Sequence, residues 1–142
     1  MLMLLFYCGQ KRLACSYECI VEILPLVALQ TSIELPSLAA GILNYGGKLI
    51  PVFDLCEILE NRRSEDLMHT RILLLKLSQS AIYGLIVEKA VLTFQAKSEA
   101  FHFALLEENP HTFLKGVANG SEGAIQLFDV QEFYNQYVHA EN

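Results

Sequence analysis

Two pairs of acids have the spacing that could carry chemistry: Asp54 with Glu57, and Asp129 with Glu132. Carboxylates three residues apart could act as general acid and base on a substrate held between them. The same spacing also marks a helix N-terminus. There an Asp accepts a backbone N–H of the first turn, and the second acid reaches back to the N–H of the first. Each pair follows a mostly apolar pentapeptide, Leu49–Phe53 or Ala124–Phe128. Neither has a nucleophile or proton acceptor beside it. We therefore read Asp54, Glu57, Asp129 and Glu132 as structural caps and assign no catalytic residue.

The other reactive side chains converge no better. His69, His102, His111 and His139 lie in polar or irregular stretches, without the H-E-x-x-H spacing of a metal site. His102, between Phe101 and Phe103, reads as an exposed strand residue. Cys8, Cys15, Cys19 and Cys56 form no C-x-x-C pair. On an extended strand Cys15 and Cys19 would be roughly 13 Å apart, too far for a disulfide or a shared metal. They read as buried, reduced thiols of a cytoplasmic protein. There is no G-x-S-x-G and no phosphate-cradling loop. Cofactors and metals are therefore not expected.

Composition narrows the class further. The 142 residues fit one domain, and 53% are hydrophobic, enough to fill a core. The net charge is −6, and basic residues are scattered apart from Arg62-Arg63. This argues against a nucleic-acid surface or direct membrane insertion. No apolar run approaches the roughly 20 residues of a membrane span, and the MLMLLFYC start reads as a first strand rather than a signal peptide.

The elements that would position the caps recur. Gly41–Glu60 reads as strand, glycine turn, strand and capped helix, and Gly116–Asn135 aligns to Gly41–Glu60 without a gap. Six of the twenty positions are identical, including Gly41/Gly116, Asn44/Asn119, Phe53/Phe128 and Asp54/Asp129. This predicts an internal duplication within one compact domain. Gly46-Gly47 supply the positive φ of a tight hairpin turn. Pro51 cannot donate to a ladder, which predicts an edge strand or a bulge.

Elsewhere the pattern is of strands. Residues 3 to 8 form one. Leu13 to Leu24 alternates and predicts a single strand with its odd positions facing inward. Ile20 breaks that alternation, either because the strand is covered on both faces or because Ile20 touches a partner. Asn61 to His69 reads as an exposed polar loop joining the halves. Ile72–Leu77 has the continuous apolar character of a central strand. Ile82–Val87 and Val91–Phe94 follow as strands, Asn109-Pro110 as a turn, and a terminal helix runs from Asp129 to about Val138. Nine or ten short strands with one or two helices predict a mostly all-β barrel architecture.

The order of these residues resembles a known family. Val21-Glu22-Ile23, Leu35-Pro36, Gly41-Ile42-Leu43-Asn44 and Gly47 through Leu55 resemble the signature of CheW-like domains, which runs G-x-x-N-x-R-G and then P-x-x-D-L. Tyr83-Gly84 through Glu88, Gly116 and Ile125 to Asp129 continue the likeness. The resemblance implies one domain over residues 1–142 made of two packed five-stranded SH3-like barrels, with repeat units near 35–60 and 110–135. It implies a non-enzymatic, cytoplasmic adaptor that couples chemoreceptors to a CheA-type histidine kinase in chemotaxis-like signalling. The partners are then the kinase regulatory domain and the receptor's cytoplasmic tip. Ile20, Glu22, Gly41, Asn44 and Gly46 fall on the family's contact positions. One departure stands out: Gly46 occupies the place of the family's Arg, which bears on receptor binding more than on kinase pairing. A ligand-binding barrel or small enzyme is the alternative from another class, and a subunit that pairs only with itself is a third.

Overall fold

The computed structural model describes residues 2–32, 34–77, 80–95, 111–120 and 123–139. His102 and Asn109-Pro110 lie outside them. Strands β1 (Leu2–Cys8), β2 (Lys11–Ser16), β3 (Ile20–Pro25), β4 (Ala39–Tyr45) and β5 (Lys48–Asp54) come first, followed by helix α1 (Leu55–Glu60). Strands β6 (Arg71–Lys76), β7 (Ile82–Val87), β8 (Lys89–Gln95), β9 (Leu114–Gly120) and β10 (Gly123–Phe128) come next, then α2 (Val130–Phe133) and a π-helical turn, Tyr134–Val138. The chain is thus mostly strand with few helices, as its alternation predicts.

The strands form two five-stranded sheets, ordered β8-β1-β2-β10-β9 and β3-β6-β7-β5-β4. The two hairpins have matching registers. In β4–β5, Gly41 pairs with Val52 and Asn44 with Leu49; in β9–β10, Gly116 pairs with Leu127 and Asn119 with Ala124. Even the irregularity repeats, with Ala39 opposite Phe53 and Leu114 opposite Phe128. The two sheets have the same order, related by advancing every strand five places in the chain. Each sheet therefore takes strands from both halves. β1 and β2 pair beside β8, β9 and β10, whereas β6 and β7 pair beside β3, β4 and β5.

Three expectations need correction. The Leu13–Leu24 alternation is not one strand, because Tyr17–Cys19 forms a 3-10 turn whose first free N–H, that of Glu18, donates to the Ser16 hydroxyl. The turn resets the phase: Val21 and Ile23 are exposed, while Ile20 and Leu24 pack against the core. The extended separation of Cys15 and Cys19 lapses with it, although all four cysteines are free. Pro51 sits inside a sheet and in regular register opposite Ile42, at neither an edge nor a bulge, for a local reason. The N–H and C=O of Ile42, its cross-strand partner, both bond Gln30 on the far side of β4. Ile42–Pro51 is thus a non-hydrogen-bonded pair, and Pro51 faces β7, whose pairing begins only at Val52–Gly84.

The capping box is the third correction, because only its first half forms. Asp54 Oδ1 accepts the Cys56 N–H at 3.0 Å, and Asp129 Oδ1 accepts the Glu132 N–H at 3.0 Å. The Asp129 N–H goes to the Phe113 carbonyl instead of to Glu132, and the Glu57 carboxylate is exposed. Both glutamates still lie in a first helical turn, where negative charge is favoured. Asp54 also gathers the loop after α1, accepting from the Ser64 N–H at 2.8 Å and the Ser64 hydroxyl at 2.6 Å.

Residues 61–69 are likewise more than a free loop. Glu88, between β7 and β8, is the point where the chain leaves one sheet for the other. One of its carboxylate oxygens accepts from the Gly9 N–H at 2.6 Å and the other from the Glu65 N–H at 2.7 Å. Arg62 bridges both oxygens at 2.8 and 3.0 Å. Pairing with Arg62 first, and then these backbone donors, lowers the Glu88 pKa from its usual 4.5 to about 2.

The core has two parts. Ile72 and Leu74 of β6 join Leu43, Ile50, Val52 and Ile86 inside the β3–β7 sheet. Leu73 and Leu75 face the other way and join Phe6, Leu13, Phe53, Leu85 and Phe133 between the sheets. Strand β6 is therefore covered on both faces, which explains its continuous apolar run.

Two outcomes follow. A depressed carboxylate pKa adds stability that is complete above 4.5 and is lost as pH falls toward 2. Because Arg62 is 37% exposed and solvent screens the pair, Glu88→Gln should cost about 1–2 kcal/mol at pH 7. In denaturant titrations, its gap from wild type should close between pH 5 and 2. A constant gap would rule out the ion pair as its source. Separately, Asp54→Ala should cost about 2–4 kcal/mol, since it strands two Ser64 donors as well as a cap. Asp129→Ala should cost about 1 kcal/mol. Equal costs in the same titration would show that the Ser64 bonds contribute nothing.

Candidate functional site

The β3–β6–β7–β5–β4 sheet curls until its edge strands meet. Gln30 bridges Ile42, and the Tyr45 hydroxyl of β4 donates to the Glu22 carboxylate of β3. That hydrogen bond, with the negative charge behind it, raises the Tyr45 pKa. The contact lies where the β4–β5 turn closes. There Gly46 and Gly47 have φ of +60° and +89°, the sign a two-residue hairpin turn needs. Asn44 Oδ1 accepts the Gly47 N–H at 2.9 Å and fixes the turn, while Lys48 Nζ reaches the Ser80 carbonyl of the neighbouring β6–β7 turn at 3.5 Å.

Of the residues singled out from sequence, Glu22, Asn44 and Gly46 are thus brought together and exposed at one end of this sheet. A side chain at Gly46 would meet nothing within 4 Å, so the position is open to solvent or to a partner. Ile20 is half-buried and packs against the core between the sheets, with Leu75 as its cross-strand partner. Gly41 is buried. A Cβ there would stand 2.6 Å from Leu29 Cβ and 2.8 Å from the Gln30 carbonyl. Close approach of that segment requires glycine at 41, and its φ is not positive. Sequence reasoning missed Tyr45, whose signal is an aromatic residue beside a double-glycine turn. It also missed Val21 and Ile23, exposed apolar residues flanking Glu22.

The reactive groups give this end no chemistry of their own. Burial raises the Cys15 pKa, and the Cys56 thiol together with burial raises that of Cys8, so both stay protonated and unreactive at neutral pH. His69 and His139 are exposed, and burial lowers the pKa of half-buried His111. Among the described residues no three His, Cys, Asp or Glu side chains gather as metal ligands. No helix among them is long and apolar enough to cross a membrane. What the arrangement offers is a rigid, exposed sheet end of mixed polar and apolar character, suited to contact with another protein.

Comparison with known proteins fits this geometry. The crystal structure of the scaffolding protein TtCheW from Thermoanaerobacter tengcongensis superposes with a TM-score of 0.75 over 91% of this chain and 84% of that one, at 20% sequence identity. At that identity the likeness concerns the fold. A comparison with curated proteins finds no match. The family model for the CheW-like domain matches residues 2–137, nearly the whole length, and the chain belongs to the CheW-like domain family.

Proposed function

We propose that this chain is a non-enzymatic adaptor of a chemotaxis-like pathway, acting in the cytoplasm to couple chemoreceptors to a CheA-type histidine kinase. The observation that carries this reading is the family match over residues 2–137. The exposed end built from Glu22, Tyr45, Asn44 and Gly46 supports it, because these residues hold one another in place without burying their outer surface. Signal then passes through contact geometry, and no bond is made or broken. The two partners are the kinase regulatory domain and the receptor's cytoplasmic tip. Ile20 and Gly41 act on those contacts from beneath, through the packing of β3 and of the Leu29-Gln30 segment.

Gly46 favours a divergent adaptor whose receptor contact is weakened. An arginine in its place would add a planar, bidentate cation to an open turn. It would also occupy φ +60°, a strained value for any residue with a Cβ.

Titration against the kinase regulatory domain and the receptor tip tests the reading. Kinase binding is expected, with weaker binding of the tip. Gly46→Arg should raise tip affinity about tenfold, or 1.4 kcal/mol, while lowering stability by about 1 kcal/mol. An unchanged tip affinity would show that arginine loss is not the cause. Glu22→Lys should weaken a partner about tenfold and leave the thermal midpoint nearly fixed, since the Glu22–Tyr45 bond is exposed. If Glu22→Lys unfolds the protein instead, Glu22 is structural. If neither partner binds the wild-type chain, the adaptor reading fails.

A further inference from the structure

The end of the β3–β7 sheet away from the Gly46-Gly47 turn opens into a cleft of about 390 Å³. Strand β4 separates the two, with Ala39 at the cleft and Tyr45 at the turn, about 20 Å apart on an extended strand. The volume is that of a small-molecule site, and such sites favour the mouths of closed or curled sheets. The walls are already in place. The loop after α1 forms one of them. Asp54 holds that loop through the Ser64 N–H and hydroxyl, and Glu88 holds it through Arg62. A preformed wall removes most of the ordering cost of binding.

The lining has an apolar part and a charged part. Half-buried Leu26 and buried Ile86, both packed on the core inside the sheet, supply the first together with Ala39. Three ionisable side chains supply the second, and one of them is committed. Both Asp54 oxygens accept hydrogen bonds, from Cys56 and Ser64. Glu57 and Arg63 remain. Both are exposed, and neither side chain forms an ion pair or hydrogen bond among the described residues. One free anion and one free cation beside apolar surface select by charge. A phosphate meets two carboxylates against one guanidinium, and a polyamine meets the guanidinium. A wholly apolar molecule strips water from charged groups and replaces none of it. A zwitterion with an apolar side chain answers every free group. Its carboxylate fits the planar Arg63 fork, and its ammonium fits Glu57.

We infer that this cleft binds a free α-amino acid with an aliphatic side chain. Arg63 takes the carboxylate, Glu57 the ammonium, and Leu26, Ala39 and Ile86 the side chain. Both charged contacts are solvent-exposed, so binding is weak, with a Kd of roughly 0.1–1 mM. The site shares no residue with the Glu22–Gly46 end, and it stands or falls apart from the adaptor reading.

Titration of the full chain with L-leucine to about 10 mM, followed by backbone amide NMR shifts, should saturate, with the shifts centred on Ala39, Ser64 and Ile86. Leucinamide lacks the carboxylate and 4-methylpentanoate lacks the ammonium, and each should bind about fivefold more weakly. Arg63→Gln and Glu57→Gln should each weaken leucine by about the same factor with nearly unchanged thermal midpoints, both being surface changes. Arg63→Gln should also erase the preference for leucine over leucinamide. The absence of saturable shifts over that range overturns the inference. So does either analogue binding as tightly as leucine, or leucine binding that neither variant weakens.

Discussion

Phe133 ties the two sheets into one body. Its ring lies 5.4 Å from Phe128 and 5.1 Å from Phe113, where the β9–β10 hairpin begins and ends. On its other side it stacks on Tyr83 of β7 at 5.3 Å and meets Phe53 of β5 edge-on at 5.7 Å. The Tyr83 hydroxyl closes the arrangement by donating to the Val130 carbonyl at 2.9 Å. A buried phenol without such a partner would cost a few kcal/mol. A short helix of four residues could not hold its place by backbone bonds alone. α2 is fixed because one aromatic side chain fills the space between two sheets.

The exchange of strands makes that space. Each sheet borrows two strands from the other half of the chain, so neither half has a complete sheet without the other. The chain must therefore cross between sheets, and Glu88 stands at one crossing. Its carboxylate draws together the β1–β2 turn, the loop after α1 and the β7–β8 junction. The aromatic cluster fixes the sheets from inside, and Glu88 with Arg62 fixes them at the rim.

A rigid junction leaves the ends of the β3–β7 sheet as places where surface chemistry can vary without disturbing the core. At one end the Gly46-Gly47 turn and the Glu22–Tyr45 bond are exposed; at the other, the Leu67-Met68 turn projects beside a cleft. An adaptor of this kind would act by holding surfaces at fixed separations, for which a stiff scaffold and replaceable turn residues suffice.

Much of this was legible in the sequence because it is local. Alternation and apolar runs located the strands, Gly46-Gly47 the turn, and Asp54 and Asp129 the helix starts, since each depends on neighbours a few residues away. The two aligned stretches do fold into hairpins of the same register, and both share an irregularity just outside them, at Ala39 and Leu114. Tertiary structure alone decided which strands share a sheet. Pairing across halves depends on which apolar faces bury together, and periodicity holds no record of a partner as far along the chain as Gln126 is from Leu13. For the same reason the 3-10 turn at Tyr17–Cys19 could reverse the faces of β3, and Pro51 could lie inside a sheet at the one register where no donor is needed. Arg62 and Glu88 are unremarkable charges in the chain; only folding brings them within 2.8 Å and makes them a hinge pin.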